Sequence, residues 1–177
     1  SSESTPGNNN DTSQDTGSID VDKNLLTVEV TFPASFVGDD KESMLNSKED
    51  GIKEIKENDD GSITMVMTKA KYNEMMDEAA KQTKEALDSL ATSGDFPSIK
   101  KVTYNEGFTE IYLEVDKEAY ENSFDSFAIF SIGITAGFYN LFAVGKDYKI
   151  VIKTKDTATG EVFSEYIIPD DLEQAGN

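Results

Sequence analysis

Residues 25–32, LLTVEVTF, alternate along the chain: Val28, Val30 and Phe32 fall on one side and Thr27, Glu29 and Thr31 on the other. A period of two predicts a half-buried strand, and Pro33 ends it because proline has no N–H for a ladder. Residues 41–48, KESMLNSK, follow Asp39 and Asp40 and predict a short helix closed by Gly51. Residues 52–57, IKEIKE, predict a strand, and Asp59-Asp60-Gly61 supplies hairpin-turn chemistry. On the return strand Ile63, Met65 and Met67 alternate with Thr64, Val66 and Thr68. The period then changes. Tyr72, Met75, Met76, Ala79, Ala80, Thr83, Leu87 and Leu90 recur at three- and four-residue steps. This predicts a helix over 69–91 with one core-facing stripe, Thr68 as its N-cap, and Gly94 and Pro97 beyond its end.

The same order returns further on. Residues 99–104 and 108–115 predict two strands joined by Asn105-Glu106-Gly107, with Ile111, Leu113 and Val115 facing inward. Asp116 caps a second long helix predicted over 117–144, and Gly145 stops it. Residues 148–155 and 161–168 predict a last hairpin around DTATG, with Pro169 ending the ordered part. Segments 52–72 and 99–120 align: Ile52 with Ile99, Ile55 with Val102, Asn58 with Asn105. After a small shift at the turn, Ile63, Met65, Met67, Lys69 and Tyr72 align with Ile111, Leu113, Val115, Lys117 and Tyr120. The spacing of about 47 residues lies in the range of repeated units. The fold class expected is α+β: an antiparallel sheet with two long helices on one face, built from a duplicated β-hairpin–helix unit at 52–91 and 99–144. One face of such a sheet is left to water, a partner or a second copy.

Composition adds exclusions. Among 177 residues there are 35 Asp and Glu, 16 Lys and Arg, and no His, Cys or Trp, for a net charge of −19. Lacking His and Cys, the chain has no imidazole base, thiolate nucleophile, disulfide or His/Cys metal site. Its charge opposes nucleic acid phosphates and anionic lipid headgroups. Residues 1–18, SSESTPGNNNDTSQDTGS, hold nothing apolar worth burying and predict a disordered tether. The domain division expected is a tether at 1–22, a single α+β domain at 23–170, and a disordered tail at 171–177. A Ser/Asn/Asp/Thr tether leading into a Cys-free acidic domain resembles the mature ectodomain of a Gram-positive surface lipoprotein. The resemblance implies a processed leader, a lipidated Cys upstream of the tether, and an extracellular, lipid-anchored location.

No chemical motif stands out. The chain has no GxGxxG, no GxxxxGK and no GxSxG. Asp20, Asp22 and Asn24 open like a calcium loop, but Leu25 stands where the loop needs Gly and Thr31 where it needs Glu. Metal and cofactor are therefore not expected, and neither is enzymatic activity. Residues 127–144, FAIFSIGITAGFYNLFAV, carry no charge. The length reaches the membrane-span threshold and Gly133 and Gly137 form a small-xxx-small pair. Ser131, Thr135 and Asn140, and the strands that follow, favour a buried central helix. Phe124, Phe127, Phe130, Phe138, Tyr139 and Phe142 would equally serve an apolar ligand cavity or a homodimer interface. On the outer sheet face Tyr112 is expected to stand opposite Leu113, with Tyr104, Tyr148 and Phe163 as companions that stack a sugar or enter a protein interface. The candidate surface is therefore Tyr104, Tyr112, Phe124, Phe127 and Tyr148. The function expected is a non-enzymatic extracytoplasmic binding or interaction module for an unidentified surface ligand or protein. The alternative is a carrier of an apolar small molecule held between the Phe-rich helix and the sheet. No nucleic acid partner is expected, and membrane contact only through the upstream anchor.

Overall fold

The computed structural model describes residues 19–23 and 26–172. Strand β1 (Asp20–Lys23) pairs antiparallel with β2 (Thr27–Phe32), and β2 pairs with β4 (Ile63–Thr68). Strand β3 (Ile52–Glu57) lies on the far edge, so the sheet order is β1-β2-β4-β3. Between β2 and β3 the chain makes two short helices, α1 (Ala34–Val37) and α2 (Lys41–Leu45), separated by one 3-10 turn. The alternation of β2 and β4 puts Val28, Val30, Ile63, Met65 and Met67 on one face, where they form a first core with Ile19 and Tyr72.

Helix α3 (Lys69–Thr92) has 24 residues, about 36 Å at 1.5 Å per residue. That length decides the architecture. Tyr72, near its start, lies in the first core; Leu87 and Leu90, near its end, lie in a second. Strand β5 (Ile99–Tyr104) therefore begins far from β4 and starts a new sheet. Strands β5, β6 (Glu110–Val115), β7 (Ile150–Asp156) and β8 (Val162–Ile168) follow in that order. The class is α+β, but the strands form two four-stranded sheets where one was expected. The second sheet is mixed: β6 and β7 run parallel, because a helical crossover returns the chain to the same end of the sheet.

That crossover is broken where one continuous helix over 117–144 was expected. Helix α4 (Lys117–Glu121) stops at Asn122, whose Nδ2 donates to the Glu118 carbonyl at 2.9 Å. Ser123 Oγ donates to the Tyr120 carbonyl at 3.2 Å. Asp125 is drawn to Ser98, and α5 (Phe127–Val144) begins after it. Such local side-chain bonds compete with helix continuation.

Two boundaries also shift. Residues 20–22, expected in the tether, open an edge strand with Val21 opposite Val30, and Ile19 before them is buried in the first core; one valine between aspartates is too weak a pattern to read alone. The rest of the expected tether, residues 1–18, lies outside the described residues, as do 173–177. At the other end the order runs past Pro169, since Asp171 Oδ2 accepts from the Ile167 N–H at 2.7 Å.

The two hairpins share local geometry. Each carries a register shift at its start, between Ile52 and Glu54 and between Ile99 and Lys101. Thr68 N–H donates to the Gly51 carbonyl at 2.8 Å and Asp116 N–H to the Ser98 carbonyl at 2.9 Å. Both residues then cap a helix with their side chains. At the turns, Gly61 and Phe108 each donate to the carbonyl of an asparagine three residues back, and both have positive φ. For a phenylalanine this conformation is unusual. The ring explains it: Phe108 is fully buried, 5.4 Å from the Tyr104 ring and 5.0 Å from Tyr139. Asn140 Nδ2 holds the turn by donating to the Gly107 and Phe108 carbonyls.

Candidate functional site

Helix α5 has two unlike faces. Its inner face is made of Ala128, Ile129, Ile132, Gly133, Ala136 and Gly137, all buried. Small residues there let neighbours approach closely. A Cβ on Gly137 would sit 3.0 Å from the Tyr148 hydroxyl oxygen, and one on Gly133 would sit 2.6 Å from Leu172 Cδ1. The glycine pair thus serves packing inside the chain, and Tyr148 is its half-buried partner rather than part of an exposed row.

The outer face carries large apolar side chains. Phe127 is 54% exposed, Ile134 50% and Phe138 45%, and Phe124 just before the helix is 93% exposed. Only 39% of the helix is buried, so the expectation of a helix enclosed on nearly all sides fails on this face. The Phe127 and Phe130 rings lie 5.6 Å apart. Phe36 of α1, itself 39% exposed, lies 5.7 Å from Phe138. The result is a continuous ridge from Phe124 to Phe36, joining both halves of the fold. At about 200 Å² for a fully exposed aromatic side chain, these five residues present on the order of 550 Å² of apolar surface. That is the upper end of what a monomer normally shows.

The ridge begins at a polar anchor. Asp125 is buried, and its Oδ2 accepts from the Ser98 N–H at 2.9 Å and the Ser98 hydroxyl at 2.5 Å. At the other end the Tyr72 hydroxyl donates to the Phe142 carbonyl at 2.5 Å, and Lys23 Nζ donates to the Ala143 carbonyl at 3.3 Å. A cation at a helix C-terminus offsets unpaired carbonyls and dipole. The helix is thus anchored at both ends by hydrogen bonds to other elements.

The outer face of the second sheet is different from what the strand pattern suggested. Tyr112 does stand there, with Lys153 Nζ 5.8 Å and Lys155 Nζ 5.6 Å from its ring centre. It borders an open depression of about 340 Å³ shared with Lys101, Thr103 and Glu114. Tyr104 is on the helix side, where its hydroxyl donates to Asp88 Oδ1 at 2.7 Å. The register shift in β5 moves it there. Phe163 packs edge-on against Tyr120, beneath Lys117. No row of aromatics forms, and Tyr112 is surrounded by cross-strand charge pairs that stabilise a sheet face. Of the residues singled out from sequence, Phe124 and Phe127 come together; Tyr104, Tyr112 and Tyr148 occupy three separate places.

Phe36 and Ile134 were not legible as site residues. Ile134 belongs to an apolar stretch with no polar face to set its phase, and Phe36 sits in a four-residue helix remote in sequence. One signal was available: on an α-helix Phe127, Ile134 and Phe138 share one side, opposite Ile129, Ile132 and Ala136, with Gly133 and Gly137 on the flank between them. Asp20 and Asp22 lie on β1 beside Thr31 and Glu29, at an open depression of about 350 Å³; Asn24 lies outside the described residues. Among the described residues no group of three or more acidic side chains is placed to hold a metal.

Burial raises the Tyr104 hydroxyl to about 12, helped by its bond to Asp88, and burial raises Tyr120 to about 12 as well. Both exceed the ordinary value of 10.0, so the fold favours the neutral phenols. Their contribution to stability is fully present below pH 10 and lost as pH rises through 12. A near-ultraviolet absorbance titration should therefore show these two tyrosines ionising last, with unfolding stability falling over the same range. All seven tyrosines ionising together near 10.0 in the folded protein would contradict it.

No known protein family, curated protein or solved structure matches the chain.

Proposed function

We propose that the chain is a non-enzymatic, extracytoplasmic interaction module whose binding surface is the apolar ridge of α5. The observation that carries this is the exposure of Phe127, Ile134 and Phe138 on one side of a helix anchored at both ends, with Phe124 exposed just before it. The ridge contains no titratable group, so it offers buried surface and not chemistry. A contiguous exposed apolar patch of this size is often functional. The extracytoplasmic location rests on the polar composition of residues 1–18 and the lipoprotein resemblance. A carrier role is less well supported, since Ile129, Ile132 and Ala136 meet Ile111, Leu113 and Ile152 with exposures of 0–1%, which leaves no room for a ligand between them. The shared bulges, caps and turns of the two hairpin–helix units support a duplicated origin for them.

The test uses the neutral dye Nile red, which fluoresces on apolar surface. The native wild-type protein should enhance its emission, and the Phe127→Ser/Phe138→Ser variant should lose most of that enhancement with an unchanged circular dichroism spectrum. Equal enhancement by both proteins would place the apolar surface elsewhere.

A further inference from the structure

We infer that the occupant of the ridge is the apolar face of a cationic amphipathic segment of another protein, an inference that rests on the ridge being a binding surface. Three candidate occupants can be weighed on charge and area. A second copy of this chain brings another −19 charge to the contact. It also meets a patch on the order of 550 Å² where a stable interface buries about 800 Å² per partner. An anionic lipid surface is repelled by the same charge. A segment with an apolar stripe flanked by Lys or Arg is attracted by it.

The charges that neighbour the ridge residues in the chain agree. Following Phe36 in the chain are Asp39, Asp40 and Glu42, all exposed. Beside Phe124 stand Glu118 and Glu121, also exposed. The lysines close by are already engaged. Lys41 pairs with Glu57, and Lys117 lies over the Phe163 ring at 5.1 Å. At the end of α5, Lys23 is held at the Ala143 carbonyl, and Lys146 is followed in the chain by Asp147. The ridge is therefore an uncharged strip whose two end segments, those of Phe36 and Phe124, each carry exposed carboxylates. A helix laid in an apolar site presents anchors at i, i+3/4 and i+7. The exposed Phe127, Ile134 and Phe138 span 12 residues of α5, long enough to meet two or three such anchors. Complementary charge at the rim fixes the direction and speeds encounter.

The experiment measures fluorescence anisotropy of three labelled synthetic helices with the full chain: one of Leu and Lys, one of Leu and Glu in the same pattern, and one of Lys and Gln with the same charge. At about 150 mM salt, where screening acts over about 8 Å, only the Leu/Lys helix should bind, in the micromolar range. Phe127→Ser/Phe138→Ser should weaken it at least about 10-fold, and Asp39→Asn/Asp40→Asn/Glu121→Gln by about 3- to 10-fold. Both variants alter exposed side chains, and their folding is checked by circular dichroism. Equal binding of the Leu/Glu helix would overturn the cationic inference and keep the ridge as a binding surface. Equal binding of the Lys/Gln helix, or no effect of the ridge variant, would overturn both. Sedimentation of the wild type as a dimer that Phe127→Ser/Phe138→Ser dissociates, or its flotation with phosphatidylcholine vesicles lost in that variant, would replace the inferred occupant.

Discussion

Replacing Asp125 by Ala should cost about 3 kcal/mol of folding stability, a large effect for one polar residue. Asp125 is 7% exposed and receives two hydrogen bonds from Ser98, from its N–H and its hydroxyl. Ser98 is itself buried, 2% exposed. Its carbonyl accepts from the Asp116 N–H at 2.9 Å, so one residue links the end of the α3–β5 loop, the cap of α4 and the start of α5. Alanine at 125 leaves a buried amide and a buried hydroxyl without partners, in a place water cannot easily reach. Hydrogen bonds to charged acceptors contribute about 1.5–3 kcal/mol each in such settings, and the two here share one acceptor atom. Asp125→Asn keeps an acceptor oxygen and should cost roughly half as much. Urea unfolding of the three proteins decides the matter. An Asp125→Ala midpoint within about 1 kcal/mol of wild type would show that the link is not what positions α5.

Much of the fold was legible because most of its strands are amphipathic. The alternation of Val28, Val30 and Phe32, and of Ile63, Met65 and Met67, survives in the structure as buried faces. Thr68 and Asp116 cap the helices they precede. What period and propensity could not supply was long-range geometry. The division into two sheets follows from the reach of α3, and the parallel β6–β7 pairing follows from where the crossover returns. Neither is a property of any local window. The break at Asn122–Ser126 was hidden because its cause, the Asp125–Ser98 bond, joins residues 27 apart.

The candidate site was half legible for a related reason. Composition identified Phe124 and Phe127 as unusual, but a helix apolar on all sides has no moment to say which face is inside. Structure resolved the phase: Ile129, Ile132 and Ala136 are buried, and Gly133 and Gly137 on the flank meet Leu172 and Tyr148. The tyrosine row failed at one β-bulge. A single-residue shift in β5 exchanges the faces of everything after it, and Tyr104 went with Val102 to the helix side.

The central claim is that α5 is packed on one side and free on the other. Ile132 and Ile134 test it as a matched pair: the same residue type, two positions apart on one helix, 1% and 50% exposed. Changing either to Ser has the same small effect on intrinsic helix preference. At 132 the change removes a buried side chain and places a hydroxyl in the core, a loss of about 4 kcal/mol. At 134 it removes a half-exposed side chain from the ridge and should cost about 1 kcal/mol or less. The measurement is equilibrium urea unfolding of the full chain, wild type against Ile132→Ser and Ile134→Ser, at matched protein concentration. A strongly destabilised first variant beside a nearly unchanged second is the predicted result. Comparable losses from both would mean that the outer face of α5 is enclosed in the native protein, and the ridge would not be a free binding surface.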